Sequence, residues 1–329
     1  WLVEPQKQVL KDRLRISFYS DEAVLSDREP VELDHLDKWV LASSLLETRL
    51  EKAAGESSSE LVEQMMQRLR GEGNLPLKAG ADERLQEADE QAATVVQHVS
   101  AIECELGSGL ELSLLLADGI QLYGRVERIR SFEGRHLLEW YTASNRPNAK
   151  LRMRAWLHLL VAKAMGHPVE GARLVGAKTT GSQSKLAGEF LMAPATATEA
   201  QALVEDLIEV WQTAHRRPIP LFQVTSSKLA EELQKPHKKL TPAQVRSKLI
   251  ETVMTQWYGD GFDKRGDQNE PEIAAFFGRF EPVMDPDCTD PLSFMGLMRR
   301  VWQPLVQAMK PGDERPDLAK TWNHLGGAA

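Results

Sequence analysis

Cysteine is scarce: Cys104 and Cys288 are the only two in 329 residues, far apart and outside any CxxC. That excludes a disulfide framework, argues against a zinc site and suits a reducing cytosol. The eight histidines are scattered without HExxH, which removes the common zinc-hydrolase pattern. There is no Walker A loop and no GxGxxG, and no serine stands in GxSxG. No apolar run approaches the roughly 20 residues that span a bilayer, and no signal peptide opens the chain. An excess of positive charge is also missing, the balance being 40 Lys+Arg against 48 Asp+Glu, net −8. Bulk attachment to a polyanion is disfavoured on that count, while a local basic face remains open.

What is present reads as a helical start, a mixed centre and a helical end. The charged and apolar fractions, 27% and 42%, are those of an ordinary soluble domain. The chain opens on Trp1 inside an apparent structural element, so it is expected to be part of a longer polypeptide. Leu33, Leu36, Val40, Leu41, Leu45 and Leu46 recur at helical period, and "SELVEQMMQRLR" repeats the pattern before Gly71 and Gly73. A third helix is expected from Asp82 to about Ile102. Near Leu110 the period changes to alternation, with Asp118-Gly119 as a hairpin turn. A second turn near Gly134 leads into "HLLEWYTA", which predicts a three-strand antiparallel meander from Leu110 to Tyr141.

Pro147 opens a predicted helix to Met165, a second hairpin is expected over Ala172 to Met192, and Thr196-x-x-Glu199 reads as a capping box. Further helices are expected at Pro242–Tyr258, Pro271–Phe280 and Leu292–Met309. The expected fold is α/β of the α+β kind, a small mixed sheet with flanking helices and helical extensions at both ends. Its parts are 1–109, 110–215 and 216–329, within one compact domain.

One constellation carries chemistry. "GRVERI" and "LLEWYTASN" read as neighbouring strands, so Glu127 and Glu139 can point to one region and hold Mg²⁺ through oxygen ligands. A phosphodiester nuclease also needs a cation beside the attacking water. At the position two after Glu139 stands Tyr141, whose phenol is neutral near pH 7. Two solvated strand acids are the other reading. Arg146, Lys150, Arg154 and His158 recur every four residues on the following helix, as a basic face or as ordinary solvated surface. From Arg216 to Lys248 there are eight basic and two acidic residues, followed by an acidic stretch to Asp290. Such asymmetry can orient docking against a charged partner.

In order along nearly the whole chain, "EPQKQVLKDRLRISF", "DREPVELDHLDKWVLASSLL", "GEGNLP", "GRVERI", "LLEWYTASN", "RMRAWLHLLVAKAMG", "QWYGDGFDKRGDQNEPEIAAFFGRF" and "VWQPLV" resemble the C-terminal domain of RecC, the gamma subunit of exodeoxyribonuclease V. The resemblance implies a degenerate PD-(D/E)xK nuclease-like core. Gly124-Arg-Val-Glu127 stands where an active relative has Gly-x-x-Asp, and Glu139-Trp-Tyr141 where it has Asp-x-Lys. Ser43 stands at the match for a histidine of an upstream helix.

A non-catalytic DNA-handling and assembly module is thereby implied, with the RecB and RecD subunits and duplex or forked DNA as partners, no cofactor, and a location in the bacterial cytoplasm. The DNA-binding candidates are Arg146, Lys150, Arg154, Lys178 and Lys185, and "GAKTTGSQSKLAG" is the candidate strand-separating pin. The alternatives are an active metal-dependent nuclease in which Lys150 or Arg152 replaces the lysine, and a pure protein-interaction domain.

Overall fold

The computed structural model describes residues 1–18, 35–52, 63–64, 67, 71, 79–100, 106–107, 109–132, 134–143, 147–180, 183–259, 266–282 and 288–310. The helix expected at "SELVEQMMQRLR" falls mostly outside them. The fold is mixed α+β, built around a six-stranded sheet in the order β1-β4-β5-β6-β7-β8. These strands are Leu106–Gly107 (β1), Ile129–Phe132 (β4), Arg135–Tyr141 (β5), Val169–Thr180 (β6), Gln183–Met192 (β7) and Met309–Lys310 (β8). Only β5 and β6 run parallel; the other neighbours are antiparallel.

The first expected hairpin forms, as β2 (Leu110–Leu115) and β3 (Gln121–Val126), but it is a separate two-stranded sheet and not the start of a meander. The reason is legible in burial. Val126 and Ile129 are both buried though three residues apart, an odd spacing that strict strand alternation sends to opposite faces. The chain changes sheets between them. Within the hairpin the expected faces hold: Tyr123 and Arg125 are exposed while Val126 is buried, and Gly119 makes the turn at φ +84°.

The helices, in chain order, are α1 (Pro5–Gln8), α2 (His35–Lys52), α3 (Ala79–Ser100), α4 (Ala149–Ala164), α5 (Ala197–Arg216), α6 (Gln223–Gln234), α7 (Pro242–Tyr258), α8 (Pro271–Phe277), α9 (Phe294–Leu297) and α10 (Gln303–Ala308). Caps written in the sequence set several starts. Asn148 accepts from the Leu151 N–H at α4, and Thr241 and Gln244 form a reciprocal capping box at α7. At α5, Thr196 caps Glu199, but the Glu199 carboxylate reaches back to the Ala195 N–H, one residue before the expected partner. The segment expected as one helix over Leu292–Met309 contains a wide π turn, Met298–Trp302. It stands directly before α10, whose Pro304 has no N–H to donate to the carbonyl four residues earlier.

Two cores sandwich the sheet. On one side α4, α5, α6, α7 and the α9–α10 segment share a large cluster with the β2–β3 hairpin, centred on fully buried Trp257, Trp302 and Phe222. Aromatics make up only 6% of residues, yet Phe222 meets Trp257, Phe277, Phe280 and Phe294 with ring centroids 4.6–6.0 Å apart. This ties α6 to α7, α8 and α9. On the other side α2 and α3 pack through Ala42, Leu45, Leu46, Ala88, Ala92 and Val95 onto Val175, Ala143 and Tyr141. Arg49 of α2 is paired with Asp89 of α3 at 2.5 Å. Among the described residues no helix is long and apolar enough to cross a membrane.

Strands β6 and β7 outrun the sheet. The β5–β6 pairing stops at Tyr141↔Val175, while the β6–β7 ladder continues to Thr180↔Gln183. The hairpin therefore projects five residues past its neighbour, roughly 17 Å at about 3.4 Å per residue.

Candidate functional site

Alternation along β5 puts Leu137, Glu139 and Tyr141 on the face covered by α2 and α3, and Leu138 and Trp140 on the other. The register brings two arginines to Glu139. Arg130 of β4 stands opposite Leu137, diagonal to Glu139, and Arg173 of β6 stands directly opposite Glu139. Arg130 Nε donates to Glu139 Oε2 at 2.8 Å, both side chains being 2% exposed or less. Arg173 lies 3.8 Å from Oε1. The Tyr141 hydroxyl donates to Glu139 Oε2 in a very short hydrogen bond. Arg128 then lies over the Tyr141 ring, 5.3 Å from its centroid.

The electrostatics follow from this packing. Burial, then the charge of Glu139, pushes the Tyr141 phenol far above its ordinary value, so it is a neutral donor at any physiological pH. Burial disfavours the charge on Arg130, but the adjacent carboxylate outweighs it and raises the guanidinium. One acid therefore sits among three arginines. A divalent metal at Glu139 would meet like charges within a few ångströms, at about 4 kcal/mol per unit-charge pair near 4 Å for an effective dielectric of about 20. What the arrangement does chemically is neutralise a buried acid and lock β4, β5 and β6 to one another.

Glu127 is not brought to this cluster. It follows the end of β3, its side chain is 73% exposed, and its nearest described counter-charge is Arg128 at 3.9 Å. The Glu139 N–H bonds the Arg128 carbonyl at 3.1 Å, which sets Arg128 opposite Glu139 and turns Glu127 toward the other face. Arg152, the alternative cation, is on the far face as well. It forms a two-pronged pair with Glu189, at 2.5 and 2.6 Å, and bonds Glu231 at 2.8 Å. Glu189 stands opposite Leu174, one residue from Arg173 and hence across the sheet from Glu139.

The basic positions on α4 diverge. Lys150 is exposed and 3.3 Å from Glu4, and Arg154 is exposed. His158 is half-buried against Trp140, at 5.7 Å between rings; burial, then the charge of Arg154, lowers its pKa. It belongs to the packing and not to a cationic stripe. Arg146 lies outside the described residues. Lys178 and Lys185 stand directly opposite one another near the hairpin turn, their side chains outside the described set. Ser43 is partly buried on α2.

Arg128, Arg130 and Arg173 escaped the sequence reading. A signal existed: Arg128 and Arg130 alternate through the strand paired with the acid, so both had to share its face. Among the described residues no three His, Cys, Asp or Glu side chains form a group able to hold a metal ion.

Comparison with known proteins adds one match. The family model of the RecC C-terminal domain covers residues 1–234, ending with the last residue of α6. No curated protein sequence matches significantly.

Proposed function

The chain belongs to the RecC C-terminal domain family, and from that premise we propose that it is a DNA-handling and assembly module of the exodeoxyribonuclease V (RecBCD) complex. In this reading its nuclease-like core no longer cuts. The observation that carries it is the closure of Glu139: the acid of the acid-x-lysine strand gives its Oε2 to both Arg130 and Tyr141, and its buried Oε1 faces Arg173 at 3.8 Å. A phosphodiester nuclease needs that acid free for a metal and a cation beside it to stabilise developing charge. Here the cations neutralise the acid itself, and the residue at the lysine position is a neutral phenol.

The projecting β6–β7 hairpin supports the DNA-handling half of the proposal. A narrow ribbon standing clear of its sheet, with Lys178 and Lys185 opposite one another near its turn, suits contact with a parting duplex. Lys150 and Arg154 on α4, and Arg146 before it, are the further DNA contacts proposed. RecB and RecD are the protein partners, and the setting is the bacterial cytoplasm.

The test is cleavage of labelled single- and double-stranded oligonucleotides with Mg²⁺ or Mn²⁺. No cleavage is expected from the chain, nor from Tyr141→Lys, because restoring the lysine leaves Arg130 on the acid. Cleavage that disappears in a folded Glu139→Gln protein overturns the reading in favour of an active nuclease. In the assembled complex, Lys178→Glu with Lys185→Glu is expected to weaken forked-duplex binding without loss of RecB or RecD. Unchanged binding removes the hairpin from the proposal.

A further inference from the structure

Beyond the span matched by the family, the chain changes character. Residues 235–250 carry five Lys or Arg, namely Lys235, Lys238, Lys239, Arg246 and Lys248, and no acid, in a chain of net charge −8. The structure shows how this cationic segment is held. Glu232, at the end of α6, is nearly buried and takes Lys235 at 2.5 Å and Lys248 of α7 at 3.2 Å. The His237 ring meets the Glu232 carbonyl at 3.1 Å. Two lysines on one carboxylate leave a positive surplus, and Lys238 and Lys239 stand exposed beside it. The α6–α7 connection is thus both fixed and positive.

Beside it runs a groove of about 600 Å³ between the end of α6, the first turns of α7 and the α9–α10 segment. Its floor is aliphatic: Leu233, Leu240, Leu249 and Met295. Leu249 and Met295 are buried, but Leu233 and Leu240 are 41% and 37% exposed, an unusual state for two leucines sharing one concavity. The rim carries Arg246 and Arg299, the latter bonded to the Cys288 carbonyl, and among the described residues no acid lines it. Among the described residues no aromatic ring lines it to stack a base as single-strand sites do.

We propose that this groove receives an amphipathic segment of a partner polypeptide, with a row of apolar side chains flanked by Asp or Glu. The aliphatic floor takes the apolar row. Arg246 at the rim and the exposed Lys238 and Lys239 of the adjoining connection take the acids. Charge complementarity thereby selects the occupant over neutral or basic helices, and the Glu232 anchor preforms the site. Most of the surface lies outside the matched span, and it is independent of the function proposed above.

The probe is a labelled helical peptide of about 16 residues, with leucine at i, i+3, i+4 and i+7 and glutamate elsewhere. Its binding to the 329-residue chain is followed by fluorescence anisotropy. Leu240→Glu, and separately Lys239→Glu with Arg246→Glu, are expected to weaken binding about tenfold or more. All three positions are exposed or at the groove rim, and unchanged thermal melts check the fold. The charge-reversed protein is further expected to gain binding to the same peptide carrying lysine for glutamate.

Four results overturn the proposal. The first is no binding of the acidic peptide by the unaltered chain, and the second is equal binding of its lysine form. The third is displacement by an oligo-dT strand whose own binding is lost in the same variants, which makes the site one for nucleic acid. The fourth is a concentration-dependent dimer abolished by Leu240→Glu, which makes the occupant a second copy of this chain.

Discussion

Replacing Glu139 by alanine is expected to be costly for a reason unconnected with catalysis. The carboxylate neutralises Arg130 at 2.8 Å, stands 3.8 Å from Arg173, and accepts the Tyr141 hydroxyl, all beneath α2 and α3. Without it Arg130, 2% exposed, keeps its charge in a site that water does not reach. Removing one partner of a buried pair costs about 3–5 kcal/mol, because the stranded charge is not rehydrated. Set against a total of about 5–15 kcal/mol, that is a large fraction of the fold's stability. At about 2–4 °C per kcal/mol, the melting temperature is expected to fall by roughly 6–20 °C.

The assay is thermal and urea unfolding at pH 7, followed by circular dichroism, on Glu139→Ala, Arg130→Met and Arg130→Met/Glu139→Leu. The double variant removes both charges and is expected to recover at least half of the loss seen in Glu139→Ala. A Glu139→Ala cost below about 1 kcal/mol, or a double variant no better than the single, refutes the claim that this pair locks β4 to β5.

Two other positions give sharper readings of charge. Burial alone would raise the Glu232 pKa, but hydrogen bonds from Lys235 and Lys248 outweigh it and hold it below the ordinary value of 4.5. A depressed carboxylate contributes stability above its unfolded pKa and loses it as pH falls through the folded one. Glu232→Gln is therefore expected to cost about 1 kcal/mol at pH 7, its lysine partners being half exposed, with the difference from the unaltered chain vanishing well below pH 4.5 in a urea series. Arg152→Ala is expected to cost about 3 kcal/mol, since it strands Glu189 and leaves Glu231 with Lys228 alone. Arg152→Lys is expected to recover less than half of that in the same unfolding assay, because an ammonium cannot reproduce the two-pronged contact.

Elements announced by local chemistry were legible in the sequence. Pro242 marks the start of α7, Pro147 stands two residues before that of α4, and Asp118-Gly119 marks the β2–β3 turn. Helix α6 was not among the expected helices; its first turn and a half holds Thr225, Ser226 and Ser227, weak helix formers whose hydroxyls compete for the backbone. In the fold all three are buried, and Asp267 from a distant segment accepts both the N–H and the hydroxyl of Thr225 at 2.7 Å. The break between β3 and β4 escaped because alternation fixes faces within a strand but not the sheet a strand joins.

The candidate site divides in the same way. That Glu139 and Tyr141 share a face follows from their spacing. That Glu127 does not join them depends on which backbone group the Glu139 N–H chooses, a non-local fact. Neutralisation by Arg173 depends on a parallel pairing across some thirty residues of intervening chain, which no local pattern encodes.

The projecting hairpin has a mechanical corollary. Both of its legs are seized at the base, β6 by β5 and β7 by β8, while among the described residues the outer rungs from Gly176↔Ala187 to Thr180↔Gln183 pair with no further strand. A push along the strand axes at the turn loads all those rungs together, in shear, and delivers the thrust into the buried root of the sheet. A sideways pull that parts the two legs loads the rungs one after another, so the ribbon unzips from its tip. The hairpin is stiff as a strut and weak as a fork, and forced-unfolding traces taken along these two directions should differ accordingly.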